Sequence, residues 1–226
     1  MNLHNQSVRD IVSLMQREDA KVVEAMHAAA PALEAFILEL VPRYENGGRL
    51  IYIGCGTSGR LGVLDAAECG PTFNVPQGRV VGIIAGGDKA LRESSEAAED
   101  SPQGGVEALQ SIGIAPSDSV VGIAAGGTTP YVLNALRYLS TLSQPPLTAL
   151  ITCTPLPETM AVGEYVRHII TLPVGPEVVT GSTRMKAGTA TKLALVSIAL
   201  RACCVLRAAC CVLCAVCCVL CAVCST

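Results

Sequence analysis

Tryptophan is absent from this 226-residue chain, and aromatic side chains make up only 3% of it. A stacking platform for single-stranded nucleic acid needs aromatic faces. A groove for duplex needs an excess of cations, and the formal net charge here is −3. Nucleic acid is therefore not an expected partner. A secretory leader is not expected either, because Met1 to Glu45 is polar and periodic in the helical sense rather than basic and then apolar. Cysteine is sparse through the first 200 residues, at Cys55, Cys69 and Cys153 only, which is the usage of a cytoplasmic protein and not of a disulfide scaffold. No Walker lysine motif occurs. His4 and His27 have no partners at metal-ligand spacing, so no metal site is expected.

What is present is a hydrophobic half of the composition, enough for one large core or two small ones. Apolar residues recur at helical spacing from Val8 to Ala29, and a second helix is expected from Pro31 to Tyr44, ended by Asn46-Gly47-Gly48. Short apolar runs suited to buried parallel strands follow at Leu50–Ile53, Arg79–Ala85, Ser119–Ala124, Leu147–Thr152 and His168–Leu172. Helix-prone segments lie between the first four: Gly56 to a Gly70-Pro71 stop, Lys89–Asp100, Gly105–Ile112 and Tyr131–Leu142. A final helix follows the fifth strand. The alternation predicts a three-layer α/β/α domain with a parallel five-stranded sheet plus N-terminal helices, and a ligand site at the strand C-termini.

Several turns on that edge are rich in glycine or hydroxyls. After the first strand come Gly54, Gly56 and Gly59 with Thr57 and Ser58 at the expected helix N-cap. Such a turn offers free N–H groups, hydroxyls and the positive end of a helix dipole, which together suit phosphate. The third strand ends in Gly126-Gly127-Thr128-Thr129-Pro130, and Ser182-Thr183-Arg184-Met185-Lys186 precedes the last helix. Arg184 and Lys186 are either phosphate ligands or solvated charges at a helix start. The three glycines also fit the dinucleotide pattern G-x-G-x-x-G, but the first acid after the second strand, Asp88, comes late for a ribose ligand. A sugar phosphate suits hydroxyl-rich turns better than a nucleotide.

Two carboxylates, Glu68 and Glu99, fall on helical segments near these turns; each is either a surface acid or part of a site. Glu68 lies ten positions past Ser58, hence about 15 Å along a helix, farther than a hexose spans. If both act on one substrate, Glu68 serves the site of a second subunit, which predicts a homodimer with interfacial active sites.

Three stretches, IYIGCGTSGRLGVLDAAECGPTF, IAGGDKALRESSEAAEDSPQGG and GPEVVTGSTRMKAGTATK, resemble the signatures of the N-acetylmuramic acid 6-phosphate etherase family, whose sugar-isomerase (SIS) domain is shared with the glucokinase regulatory protein. The resemblance runs from about Ser7 to about Leu200. It implies a lyase that needs no cofactor, with Glu68 as proton donor and Glu99 as the second active-site acid. It also implies a phosphosugar region comprising Gly56, Thr57, Ser58, Thr128, Thr129, Ser182, Thr183, Arg184 and Lys186. The substrate implied is N-acetylmuramate 6-phosphate. The regulatory branch lacks the acid at Glu68, which favours the enzyme over a sugar-phosphate-binding protein or an inactive relative.

Two departures from the family pattern stand out. Gly126 and Thr128 replace the serine and arginine of a Ser-Gly-Arg-Thr-Pro turn, at the cost of one hydroxyl and one cation. Residues 201–226 form a cysteine-rich tail of low complexity in which CCVLCAV recurs, where the family continues with a helical portion. The tail is read as a repeat-derived extension or, over Ala208 to Cys224, as a membrane anchor. The domain proper is expected to span 1–200.

Overall fold

The computed structural model describes residues 3–211. Five strands, β1 (Leu50–Gly54), β2 (Val80–Ile84), β3 (Ser119–Ile123), β4 (Leu147–Thr152) and β5 (His168–Thr171), form one all-parallel sheet in the order β2-β1-β3-β4-β5. Every residue of β1, β3 and β4 is buried, which is why these strands read as unbroken apolar runs and not as alternating ones. Helices cover both faces, as expected. On one face α2 (Lys21–Glu45), α3 (Gly56–Phe73) and α7 (Lys186–Cys211) pack over Leu50, Tyr52, Val121 and Ile151. On the other, α5 (Gly104–Ser111) and α6 (Pro130–Ser140) pack over Ile51, Ile53, Val120 and Leu150.

The chain moves outward from β1 to β2 and then returns past β1 to β3, so the strand order reverses at β1/β3. In doubly wound sheets the crevice at that reversal, beyond the strand C-termini, is where ligands bind. Register makes the edge level: Gly54 of β1 sits opposite Ile84 of β2 and Ile123 of β3. Helix α3 lies close on this corner because Gly59 has no side chain. A Cβ there would stand 2.6 Å from the Gly54 carbonyl oxygen and 2.7 Å from Ile84.

The N-terminal helices differ from expectation. The break falls at Ala20, between α1 (Val8–Asp19) and α2, and Pro31 lies inside α2. Proline removes one N–H and crowds the preceding turn, but Ala25, Ala29, Leu33, Phe36 and Leu40 are buried on both sides of it. Packing of that stripe holds the helix together across the defect. Helix α1 starts at a capping box, in which Ser7 accepts the Asp10 N–H while Asp10 accepts from Ser7, and none of its residues is buried.

Helix α3 also overruns its expected Gly70-Pro71 stop by most of a turn. It ends where Asn74 turns left-handed at φ 53° and returns its N–H to the Gly70 carbonyl. The helix expected over Lys89–Asp100 is instead a 3-10 turn at Gly87–Leu91 and a single helical turn, α4 (Glu96–Glu99). Helix α7 runs without interruption through position 200, and Ala202 and Cys203 are fully buried. The start of the tail is thus part of the core. The anchor expected at Ala208 to Cys224 lies mostly outside the described residues.

Candidate active site

The site is built on the reversal point. Cys55 takes the N-cap position of α3 in extended conformation and makes no side-chain cap, so Thr57 and Ser58, expected at the cap, lie inside the first helical turn. The first intrahelical bond of this helix runs from the Gly59 N–H to the Cys55 carbonyl at 3.1 Å. The N–H groups of Gly56, Thr57 and Ser58 therefore point out of the helix, as the first donors of any helix do. Gly56 sits at φ +50°, a conformation open to glycine. Burial, with Glu99 and Asp100 nearby, pushes the Cys55 thiol up to about 12, which makes it an inert packing group and not a nucleophile.

Glu99 belongs to this edge. It ends α4 within the β2-to-β3 crossover and accepts a 3.0 Å hydrogen bond from the Thr129 hydroxyl. Thr129 is the N-cap of α6 and spends its hydroxyl on Glu99 instead of on its own helix. The preceding loop is held by Arg60, from the second turn of α3, which donates to the Leu91 and Glu93 carbonyls at 3.3 and 3.0 Å. Beside Glu99 an open cleft of about 670 Å³ runs along edge strand β2, lined among others by Ile83, Gly86, Asp88, Ser101 and Tyr131.

The segment before α7 closes the same corner. A Cβ at Gly188 would lie 3.5 Å from the Thr183 carbonyl oxygen and 3.6 Å from the Thr57 methyl. Thr183 is thereby brought next to the first turn of α3, with Ser182 preceding it in the chain, and Arg184 is exposed. Lys186 behaves differently from the solvated or phosphate-facing cation expected of it. It is 1% exposed and its ammonium grips the carboxylate of Glu18, at the end of α1.

Glu68 is not brought to this corner. It is exposed farther along α3 and lines a groove of about 190 Å³ between α3 and α7 with Leu61, Leu64, Asp65, Lys192 and Val196. Burial raises the neighbouring Asp65 carboxyl above its ordinary value, against the opposing pull of Tyr52 and Lys192. Leu64 and Val196 leave half or nearly half of their surfaces in water on this face.

Three residues with structural roles here were not singled out from the sequence: Arg60, Glu18 and Glu177, whose carboxylate accepts the Ala187 N–H at 2.9 Å near the start of α7. Arg60 lies inside a quoted motif, but its acceptors are carbonyls, which leave no trace in sequence. Among the described residues no cluster of three or more histidine, cysteine or acidic side chains is arranged around a metal-sized point.

A level parallel edge, an open helix N-terminus and turns rich in glycine and hydroxyls define a doubly wound α/β domain with a ligand crevice at its strand C-termini. In agreement, the sequence model of the glucokinase regulatory protein N-terminal SIS domain matches residues 32–140. Solved structures share the fold: a phosphoheptose isomerase from Francisella tularensis superposes with a TM-score of 0.59 at 18% identity, over 87% of this chain and 98% of that one. A phosphoheptose isomerase from Neisseria gonorrhoeae does so with 0.58 at 14%, over 85% and 97%. Sequence narrows the class. An N-acetylmuramic acid 6-phosphate etherase of Porphyromonas gingivalis is 50% identical over 194 residues, 85% of this chain and 69% of that protein. Another, of Caldanaerobacter subterraneus subsp. tengcongensis, is 49% identical over 195 residues, 86% of this chain and 62% of its own length. The chain belongs to the N-acetylmuramic acid 6-phosphate etherase family. It spans about three-fifths of the length of several of the curated relatives it matches.

Proposed function

We propose that the protein cleaves the D-lactyl ether of N-acetylmuramate 6-phosphate, giving N-acetylglucosamine 6-phosphate and D-lactate. The first turn of α3, with Thr57 and Ser58, and the hydroxyls of Ser182, Thr183 and Thr128 receive the phosphate. Arg184 adds the exposed cation of that corner. The proton at C2 of the sugar, beside the masked aldehyde, is removed by a carboxylate, and the C3–O bond breaks as a second carboxyl protonates the departing lactate oxygen. Water then adds to the unsaturated sugar, its hydroxyl at C3 and its proton at C2. Glu99 is the base and Glu68 the proton donor, a pairing suited to elimination from a poor leaving group.

The observation that carries this reading is Glu99 fixed by Thr129 at the strand edge, beside the open N-terminus of α3. Glu68 is displaced from that edge along its helix, so it reaches the site of a partner subunit across the half-exposed Leu64 and Val196. The assembly proposed is a homodimer. The proposed compartment is the cytoplasm, where Cys55, Cys69 and Cys153 persist as the free thiols they are here.

Pure protein is expected to release D-lactate from the 6-phosphate without added cofactor. The match to the regulatory-protein SIS model supports a second reading, sugar-phosphate binding without turnover. Tight binding with no lactate released would establish that reading and overturn the etherase.

The third turn supplies a further prediction. Gly126 is outside the left-handed region, and a Cβ there would meet only Thr128 Oγ1, at 3.7 Å. Gly126→Ser is expected to fold normally and to tighten sugar-phosphate binding by about 0.5–1.5 kcal/mol, the worth of one hydrogen bond. Calorimetric titration with N-acetylglucosamine 6-phosphate checks it, and unchanged affinity would show that this turn does not touch the phosphate.

A further inference from the structure

The segment from residue 175 to 186 carries Ser182 and Thr183, yet its backbone makes only local bonds. The Ser182 N–H goes to Val179, the Thr183 N–H to Gly181 and the Met185 N–H to Ser182. Glu177 ties the segment to the start of α7 ten residues on. Among the described residues, its only hydrogen bond to a distant part of the chain is from the Lys186 ammonium to Glu18, 168 positions away.

That contact is built as an anchor. Lys186 is 1% exposed, so its charge has little access to water, and a buried ammonium needs a carboxylate held in place. Glu18 is held from the other side by Lys21 at 2.7 Å. The two ammonium groups hold the Glu18 carboxyl down at about 2, which keeps it charged throughout the neutral range. Lys186 directly precedes Ala187 and Gly188, and the Gly188 backbone packs against Thr183 and Thr57. A shift at Lys186 is therefore passed to Thr183, which Gly188 joins to Thr57 in the first turn of α3.

We propose that Glu18 is a positioning residue for sugar-phosphate binding: by holding Lys186 it fixes the 175–186 segment, and with it Ser182 and Thr183, against the phosphate-binding turn. The inference rests on the proposed phosphosugar site. It assigns α1, which buries none of its own residues, the task of presenting this carboxylate.

The test is calorimetric titration with N-acetylglucosamine 6-phosphate, together with steady-state lactate release, on the full chain and on Glu18→Gln, Glu18→Asp, Lys186→Met and the double variant Glu18→Gln/Lys186→Met. Loss of one charge-assisted bond is expected to weaken binding about ten-fold or more in Glu18→Gln. The loss falls on KM, with kcat within about two-fold, because the phosphate is gripped equally in ground and transition states. Glu18→Asp recovers most of the affinity. The double variant binds no more weakly than the worse single variant, since the pair acts as one unit. If Glu18→Gln fails to fold, the double variant decides, because it leaves no unpaired charge in the interior. Affinity within about two-fold of wild type in whichever variant decides, or a loss confined to kcat, overturns the inference while leaving the site reading intact. A wild-type chain that binds no sugar phosphate overturns the site reading and the positioning role together.

Discussion

Glu68→Gln is expected to bind N-acetylglucosamine 6-phosphate as the wild type does and to release D-lactate about 10²–10⁴-fold more slowly, the range that a positioned general acid contributes. The glutamine keeps the size and hydrogen-bonding shape of the side chain and loses only the transferable proton. Binding should be spared because Glu68 lies along α3, away from the turn proposed to receive the phosphate. Mixing subunits tests the placement further. In the proposed homodimer, Glu68→Gln and Glu99→Gln are each expected to be close to inactive alone. If Glu68 crosses the interface, a mixed dimer contains one site carrying both substitutions and one carrying neither. Random re-pairing of equal amounts then restores about a quarter of wild-type activity. If Glu68 acts within its own subunit, mixing restores nothing. Full turnover by Glu68→Gln alone would remove it from the mechanism.

Asp118→Ala is expected to destabilise the fold by about 3–5 kcal/mol, toward the lower figure because Arg49 keeps some access to water. Asp118 is 1% exposed, at the edge of the sheet opposite the site. Its carboxylate accepts the backbone N–H groups of Arg49 at 2.9 Å and Ala115 at 2.8 Å, and the Arg49 guanidinium at 2.6 Å. The same guanidinium donates to the carbonyls of Ile112 and Gly113. One carboxylate thus joins the starts of β1 and β3 to the end of α5, and its removal leaves two N–H groups without their acceptor and a guanidinium without its counter-charge.

Burial alone would raise Asp118. The Arg49 guanidinium and the two N–H groups outweigh it and hold the carboxyl below its ordinary value. A folded-state value below the unfolded one stabilises the protein fully above the unfolded value, about pH 4. That contribution is lost as pH falls through the folded value. Urea denaturation at pH 7 and at pH 3 should therefore show an acid loss of stability that is smaller in Asp118→Ala than in the wild type. An equal loss in both would assign the acid sensitivity elsewhere.

Much of the fold was legible because its signals are local. The strands of a two-sided parallel sheet must be apolar throughout, so Leu50–Ile53, Ser119–Ala124 and Leu147–Thr152 declared themselves without tertiary knowledge. The glycine and hydroxyl turns were legible for the same reason, since a tight strand-to-helix corner limits which residues fit. What misled were the signals that packing overrides. Pro31 reads as a helix boundary, yet buried neighbours on both sides carry α2 through it. Lys89–Asp100 has helical composition, yet Arg60 draws two of its carbonyls away toward α3.

By itself, then, the amino-acid sequence determined a parallel α/β/α domain, the edge that carries its glycine- and hydroxyl-rich turns and the family to which it belongs, because periodicity, glycine placement and motif order are all short-range patterns. Only the tertiary structure decided that Glu99 stands at Thr129 while Glu68 faces a separate groove, and that Lys186 is an anchored interior charge. It also decided that the chain past residue 200 begins as core helix, with Cys203 buried. Each of these depends on contacts between residues far apart in the chain, and such contacts are set by how the helices dock on the sheet, which no local pattern encodes.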